Sequence, residues 1–348
     1  MKVIGAASQI SEFWPSVAEH LIYDDVLYFA MENDTKRMEH YRRALTEHAR
    51  GKVVLDIGTG PKANLAALAL DSGARHVYAV EYLASAYQKA KAFLRSHSLE
   101  NRITLYHGDA RNVSLPEKAD VCVSALVGSI GSLEGVVPVL NSVRQRLLKP
   151  DAVMIPQSSI TEIAAITLPD NLKYSTTFAV LPARYVKILF TQAGKPYDLR
   201  LCIRNFPRTC FLSTVGICEA LRFQLESDVA YLPQRLELEI LQDGTFDGFL
   251  AWLVLTLAKD VRMDILRETH CLLPLYLPVL ESGIEVKRGD KIVATCLTEV
   301  SENNVNPNYR ITGDVLSGCR KIPFRVNSEH RAKTYGSSAL YERLLRSF

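Results

Sequence analysis

The sequence has no long hydrophobic run, no C-x-x-C pair and no phosphate-loop motif. It also has almost no net charge. Each absence removes a class of protein. The longest apolar stretch, Phe249 to Ala258 (FLAWLVLTLA), is about half of the ~20 residues a membrane-spanning helix needs. Flanked by Asp247 and Lys259, it reads as a buried central strand. The opening segment, MKVIGAASQISEFWPS, has one Lys and no extended apolar core, so it does not read as a signal peptide. The expectation is a cytoplasmic protein. With 41 basic against 38 acidic residues, a net charge of +3 and only short basic runs, neither a nucleic-acid surface nor a polybasic membrane surface is indicated. Seven cysteines is an odd count. Cys202, Cys210 and Cys218 recur every eighth residue, wider than a metal knuckle, so buried reduced thiols and no metal are expected. The missing G-x-x-x-x-G-K-[ST] excludes a P-loop.

What is present points to a two-part globular chain. The 348 residues are 48% apolar and 23% charged, and one core stops growing near ~250–300 residues. Residues 10–50 have a helical pattern. Tyr23, Leu27, Tyr28 and Phe29 form an aromatic cluster, and DTKRMEHYRRALTEHA follows as an amphipathic helix with Asp34 and Thr35 as caps. VVLDIGTG, HVYAVE, ITLYHGD and ADVCVSAL then alternate with helical segments. That alternation predicts a parallel, doubly wound α/β domain. After Pro150 and Pro156 the chain becomes strand-like (LRFQLESD, QRLELEIL, GFLAWLVLTLA, KIVATCLTEV, YRITGDV), with turns at Asp243-Gly244, Gly289-Asp290 and Asn306-Pro307. This predicts an antiparallel β domain, sandwich or barrel. The expected division is 1–50 helical, 51–155 nucleotide-type domain and 156–348 β domain, with residues of about 168–215 inserted as an arm. No internal repeat or low-complexity tract is present.

The strongest single motif is Val54-Leu55-Asp56-Ile57-Gly58-Thr59-Gly60, with Glu81 following 21 residues after Gly60 at the end of the next strand. Gly58 and Gly60 allow a tight turn and close backbone approach to a nucleotide-like ligand. Glu81 is placed to accept hydrogen bonds from two ribose hydroxyls. The unit fits a dinucleotide or S-adenosylmethionine. Asp56, two positions before the first glycine, and His107-Gly108-Asp109-Ala110, suited to adenine recognition, favour S-adenosylmethionine.

Four separated segments, covering most of the chain, resemble the protein arginine methyltransferases. Tyr23 through Tyr41 is similar to the family's N-terminal cofactor lid. In that likeness Tyr23 covers the ligand, Met31 packs near the sulfonium and Arg37 grips the carboxylate. VLDIGTG with Glu81 is the second segment. The third is Ser124-Ala125-Leu126-Val127-Gly128-Ser129-Ile130-Gly131-Ser132-Leu133-Glu134, similar to a loop that carries two glutamates nine residues apart. The fourth, Thr269-His270-Cys271, is similar to a Thr-His-Trp loop. The resemblance implies a Rossmann-like methyltransferase domain followed by a β-barrel with an inserted helical dimerisation arm, and a homodimer. It makes Glu134 and the His270–Asp34 pair the catalytic machinery. It makes Tyr23, Met31, Arg37, Asp56, Gly58, Gly60, Glu81, Asp109 and Ala110 the cofactor contacts.

Three departures redirect the expectation. Ala125 stands where the first glutamate belongs, Lys62 where a third glycine is usual, and Cys271 where the tryptophan is. One carboxylate is half of a bidentate clamp on a guanidinium, and a buried cation against a single carboxylate is incompletely compensated. The leading expectation is therefore methyl transfer to a small molecule: free arginine, a guanidino metabolite or an amine. The alternatives are a catalytically silent partner of an active enzyme, or a protein arginine methyltransferase that recruits another carboxylate. Lys62 either crowds the cofactor's methionine tail or binds its carboxylate. His40 and His48 read as solvent histidines, Trp14 and Phe13 as an anchor for the first helix, and Asp120 as a structural acid. The arm's Phe178, Val180, Leu181, Tyr185 and Val186 are expected to need a partner subunit to cover them.

Overall fold

The computed structural model describes residues 10–225, 233–279, 283–301 and 305–348. The chain opens with a strand, β1 (Glu12–Pro15), followed by helices α1 (Asp25–Glu32) and α2 (Thr35–His48). Strands and helices then alternate: β2 (Val53–Ile57), α3 (Asn64–Asp71), β3 (His76–Glu81), α4 (Ala84–Ser96), β4 (Ile103–His107), β5 (Ala119–Ser124), α5 (Val136–Leu147) and β6 (Leu148–Ile155). These five strands form one parallel sheet in the order β4-β3-β2-β5-β6. Strand order reverses between β2 and β5, and in open α/β sheets ligands bind at the carboxyl ends beside such a reversal.

Residue chemistry accounts for the local elements. Every residue of β2 (VVLDI) is buried, as a central parallel strand covered on both faces requires. In α4 the buried residues Ala86, Ala90 and Leu94 repeat every fourth position, giving one inward stripe. In α2 the inward residues are Arg37, His40, Tyr41, Ala44 and Leu45. The buried face of this helix thus begins with polar groups, at the end nearest the candidate site. Asp34 caps α2 by accepting the Arg37 amide.

The second half contains β7 (Ser158–Ile166), α6 (Asp170–Lys173), α7 (Val180–Ala193), β8 (Leu201–Arg204), β9 (Gly216–Arg222), β10 (Gln234–Glu239), β11 (Gly244–Phe246), β12 (Gly248–Ala258), β13 (Val261–Asp264), β14 (Leu275–Pro278), β15 (Ile284–Val286), β16 (Lys291–Val300), β17 (Pro307–Ser317), β18 (Arg320–Ser328) and α8 (Ala339–Leu344). A seven-stranded antiparallel sheet runs β1-β8-β14-β12-β7-β9, with β13 beside β12; a four-stranded sheet runs β10-β16-β17-β18. FLAWLVLTLA is the central strand β12, paired with β14 and β7. The parallel Rossmann-like core followed by antiparallel sheets is the expected fold class. No helix among the described residues is long and apolar enough to cross a membrane.

Three expectations are corrected. The segment around Phe13 and Trp14, expected within a helical stretch, forms β1, which pairs with β8 and extends the seven-stranded sheet, while Trp14 packs in one cluster with Leu27 of α1. The arm's apolar residues do not require a second subunit. Phe178, Tyr185 and Val186 are buried in this chain alone, and Tyr185 packs with Ile22 and Leu189. The exceptions are Leu181, half-buried, and Val180, 91% exposed. Of the LRFQLESD strand, β9 takes only its first two residues, and Glu226 to Asp228 lie outside the described residues, as does Met1 to Gln9 of the opening segment.

Candidate active site

The Gly-rich turn leaves β2 at the carboxyl edge of the parallel sheet. Gly58 and Gly60 adopt φ of +75° and +71°, conformations open to glycine at little cost. Thr59 donates its hydroxyl to Asp56 Oδ2 at 2.5 Å, which ties the strand end to the turn. Burial pushes the Asp56 carboxyl up to about 7, partly offset by that hydrogen bond. Glu81, at the end of β3, reaches back to the same turn. Its Oε2 accepts the Gly60 amide at 2.9 Å and its Oε1 the Leu83 amide at 2.7 Å. Burial also raises Glu81.

The α1–α2 segment lies against this edge. Tyr23 and Tyr28 stack with centroids 5.8 Å apart, and a Cβ at Gly60 would lie 3.7 Å from the Tyr28 ring. Helix α1, which carries Met31, has no fully buried residue. Arg37 is buried, its guanidinium lies 5.7 Å from the Tyr41 ring centre, and its Nε has no hydrogen-bond partner. The Tyr41 hydroxyl bonds the Ser124 carbonyl at the carboxyl end of β5. A buried guanidinium with an unpartnered Nε is costly, and Glu134 is a carboxylate on which its charge acts.

Glu134 sits on the loop after β5. The Tyr23 hydroxyl donates to its Oε2 at 2.7 Å. Burial pushes Glu134 up to about 7, against the Tyr23 bond and the Arg37 charge, which both lower it. A Cβ at Gly128 would fall 2.8 Å from Leu133 and 3.4 Å from Glu134 Oε1, so glycine there keeps the loop folded over the carboxylate. Ala125 presents no carboxylate.

His270 and Asp34 meet as the resemblance implies. His270 Nδ1 is 3.1 and 3.2 Å from the two Asp34 oxygens, and Asp34 also accepts the Arg37 and Cys271 amides. Burial alone would raise Asp34, but these bonds outweigh it and bring the group down to about 2. The pair joins the loop before β14 to the cap of α2. Asp109 is gripped by its neighbour: Arg111 makes a bidentate contact at 2.7 to 3.1 Å, and that contact lowers the Asp109 carboxyl. Ala110 beside it is buried.

Lys62 has a partner within the chain. Its Nζ pairs with Glu32 Oε2 at 2.7 Å, fastening the Gly-rich turn to the end of α1. The left-handed residue that follows is Ala63, at φ +46°. His40 is not a solvent histidine: it is buried, and its Nε2 lies 3.7 Å from Glu268, which also neighbours His270. Asp120 is structural, accepting the Val53 amide and Lys149.

Residue-level reading missed a buried network behind Glu134. Glu19 Oε2 accepts Arg200 at 2.6 Å and His330 Nδ1 at 2.7 Å. Asn306 bonds both the Glu19 carbonyl and the Glu134 amide. Ser132, Thr161 and Tyr309 converge on buried Glu219. Asn306 carried only a turn signal, and nothing in the local sequence marks Glu19 or Glu219.

With this geometry in hand, the chain can be set beside known proteins. Residues 19–155 match the family model described as PRMT5 arginine-N-methyltransferase. The probable protein arginine N-methyltransferase 6 of Arabidopsis thaliana is 32% identical over 151 residues, 42% of this chain and 34% of that protein. The chain thus spans about a third of the length of such curated relatives. Among solved structures, Arabidopsis thaliana protein arginine methyltransferase 10, in an open conformation, is similar with a TM-score of 0.71 at 21% identity, covering 86% of this chain and 96% of that one. A Trypanosoma brucei PRMT1 enzyme–prozyme heterotetrameric complex with AdoHcy is similar with a TM-score of 0.70 at 17% identity, covering 87% and 97%. At these identities the two structures speak for the fold.

Proposed function

We propose that this chain is a protein arginine methyltransferase-like family member, an S-adenosylmethionine-dependent N-methyltransferase whose acceptor nitrogen is held by the single carboxylate of Glu134. The observation that carries the reading is Arg37: a buried guanidinium with an unpartnered Nε, stacked over Tyr41 at the ligand-binding edge of the parallel sheet. A cofactor with a carboxylate tail satisfies it. The other groups at that edge fit the same cofactor. Glu81 spends one lone pair of each oxygen on backbone amides and retains capacity for ribose hydroxyls. Gly58 and Gly60 admit close backbone approach. Residues 1–50 would then serve as a lid, 51–155 as the cofactor domain and 156–348 as the β domain with its arm.

Bound S-adenosylmethionine supplies a methyl group on a positively charged sulfur, which displacement by a nucleophile releases. The chain supplies position and a proton acceptor. Glu134 holds the acceptor nitrogen through the oxygen not engaged by Tyr23. Raised to about 7, it is matched to accept the proton that nitrogen loses near neutral pH. Tyr23 keeps the carboxylate from turning away. The His270–Asp34 pair fixes the cap of α2 and so the placement of Arg37.

The missing carboxylate at Ala125 favours acceptors that do not need a bidentate guanidinium clamp: an amine, or a small guanidino compound with its own carboxylate, free arginine included. A second reading is a silent partner that stabilises an active enzyme. Ala125 and the likeness to an enzyme–prozyme assembly favour it. The homodimer belongs to the first reading, and a single 39 kDa particle in light scattering at micromolar concentration would overturn it.

Calorimetry with S-adenosylmethionine and S-adenosylhomocysteine, followed by methyl transfer to free arginine, guanidino acids, amines and Gly-Arg peptides, tests the proposal. Binding with turnover of a small acceptor supports it. Turnover of the peptide alone points to a protein substrate. Binding without turnover on any acceptor points to the silent partner, and no binding sinks the cofactor assignment.

A further inference from the structure

The backbone at Glu134 is unusual. Its φ is +63°, left-handed for a residue with a side chain, and Gly135 follows at +69°. Such a conformation costs about 1 kcal/mol and persists where surroundings hold it. Helix α5 starts only at Val136, so the Glu134 amide has no helical partner. It donates instead to Asn306 Oδ1 at 2.7 Å. Asn306 is 2% exposed and its Nδ2 donates to the Glu19 carbonyl at 2.9 Å.

Glu19 lies four residues before Tyr23, and Tyr23 grips the Glu134 carboxylate. The contacts therefore close a ring: Asn306 to the Glu134 amide, the Glu134 side chain to Tyr23, main chain back to Glu19, and the Glu19 carbonyl to Asn306. Glu19 is in turn pinned to the second half of the chain by Arg200 and His330, all three buried. The neighbouring loop residues have other supports, Gly131 on Thr161 and Ser132 on Glu219. Asn306 reaches Glu134 itself.

We propose that Asn306 is the positioning residue that aims Glu134 at the methyl acceptor, by fixing its main chain to the same segment that holds its carboxylate. This rests on the role given to Glu134 above. The chemistry requires an amide side chain. Aspartate accepts from the Glu134 amide but cannot donate to Glu19, and an apolar residue orphans both backbone groups. A loosened Glu134 keeps its charge and loses its direction, which lowers turnover more than acceptor binding.

Asn306→Ala and Asn306→Asp test this, with three readouts: amide exchange at Glu134 by NMR, S-adenosylhomocysteine affinity by calorimetry, and kcat and KM for the best acceptor. In Asn306→Ala the Glu134 amide is expected to lose protection, and kcat to fall about 10- to 100-fold, with KM and cofactor affinity changed far less. In Asn306→Asp the amide stays protected, and the new carboxylate moves the acid limb of kcat to higher pH. Unchanged exchange at Glu134 in a folded Asn306→Ala overturns the proposal. So does lost protection with unchanged kcat, because the bond is then merely structural. If Asn306→Ala does not fold, an unmoved acid limb in Asn306→Asp overturns it. If wild type transfers no methyl group, the catalytic reading of Glu134 fails and this proposal with it, whereas a failure confined to the variants leaves that reading intact.

Discussion

The Tyr23 hydroxyl donates to Glu134 Oε2 at 2.7 Å, across 111 residues of sequence. A residue of the N-terminal segment thereby sets the electrostatics of the loop at the carboxyl edge of the sheet. Burial raises Glu134, the Tyr23 bond works against that rise, and the balance leaves the group near 7.

Removing the bond tips the balance. In Tyr23→Phe the protonated form of Glu134 gains, so its titration moves upward and the acid limb of the methyl-transfer pH profile follows. We expect a shift of about one pH unit, corresponding to about 1.4 kcal/mol for one hydrogen bond to a charged group. Initial rates from pH 5.5 to 9 decide the matter. A limb that stays in place means Glu134 is not the titrating base.

The same residue predicts a stability profile. In the unfolded chain a glutamate titrates near 4.5, and in the folded chain Glu134 titrates near 7. Between those values the folded state holds a proton that the unfolded state has lost. Stability therefore falls as pH rises through that window and then levels off. Glu134→Gln removes this part of the slope. Chemical denaturation is expected to show the variant about 1–3 kcal/mol more stable than wild type at pH 8, and equal to it at pH 4. Asp56, also raised to about 7 by burial, leaves a residual slope of the same sign in both proteins. A variant less stable than wild type at pH 8 contradicts the burial argument.

Lys62 and Glu32 form an exposed latch between the Gly-rich turn and α1. Exposed ion pairs contribute about 0–1 kcal/mol and are screened by salt. Lys62→Ala should therefore weaken S-adenosylhomocysteine binding by no more than about fivefold at low salt, and the difference should vanish at 0.5 M salt. A loss of a hundredfold, insensitive to salt, would show Lys62 contacting the cofactor directly.

How much of this was legible from the residues depends on the range of the interaction. The parallel strands declared themselves through short β-branched runs ending in glycine, because a strand buried on both faces has no polar positions to confuse the pattern. Asp56, Gly58, Gly60 and Glu81 lie within 26 residues of one another, a single strand–turn–helix–strand unit whose spacing is set by local geometry. Likeness to a family added Tyr23, Arg37 and the Asp34–His270 pair. β1 was lost because Phe13 and Trp14 make too short a run to separate from a helix, and only pairing with β8 decides the matter. The burial of Tyr185 and Val186 was lost because what packs with them lies far away in sequence: Ile22 and Trp14 beside Tyr185, and a cluster that includes Phe13 and Tyr341 around Val186. Asn306, Glu19 and Glu219 were lost for a related reason: each acts through backbone or buried polar atoms that tertiary packing alone brings together.

Arg37 gives the most direct separation of binding from folding. Its guanidinium is buried with Nε unpartnered, so the chain without ligand bears an incompletely compensated charge, which is unfavourable. Replacing it by Met keeps an unbranched apolar stem of similar length and removes that charge. The folded chain should lose no stability and gain up to about 1–2 kcal/mol, read by denaturant titration. Cofactor binding should move the other way. A charge-assisted bond to a carboxylate contributes about 1.5–3 kcal/mol, so affinity for S-adenosylhomocysteine should fall about 10- to 100-fold. The two effects must appear together. If Arg37→Met binds as wild type, the cofactor carboxylate lies elsewhere. If the variant unfolds, Arg37 has a structural partner and the anion it awaits belongs to the chain itself.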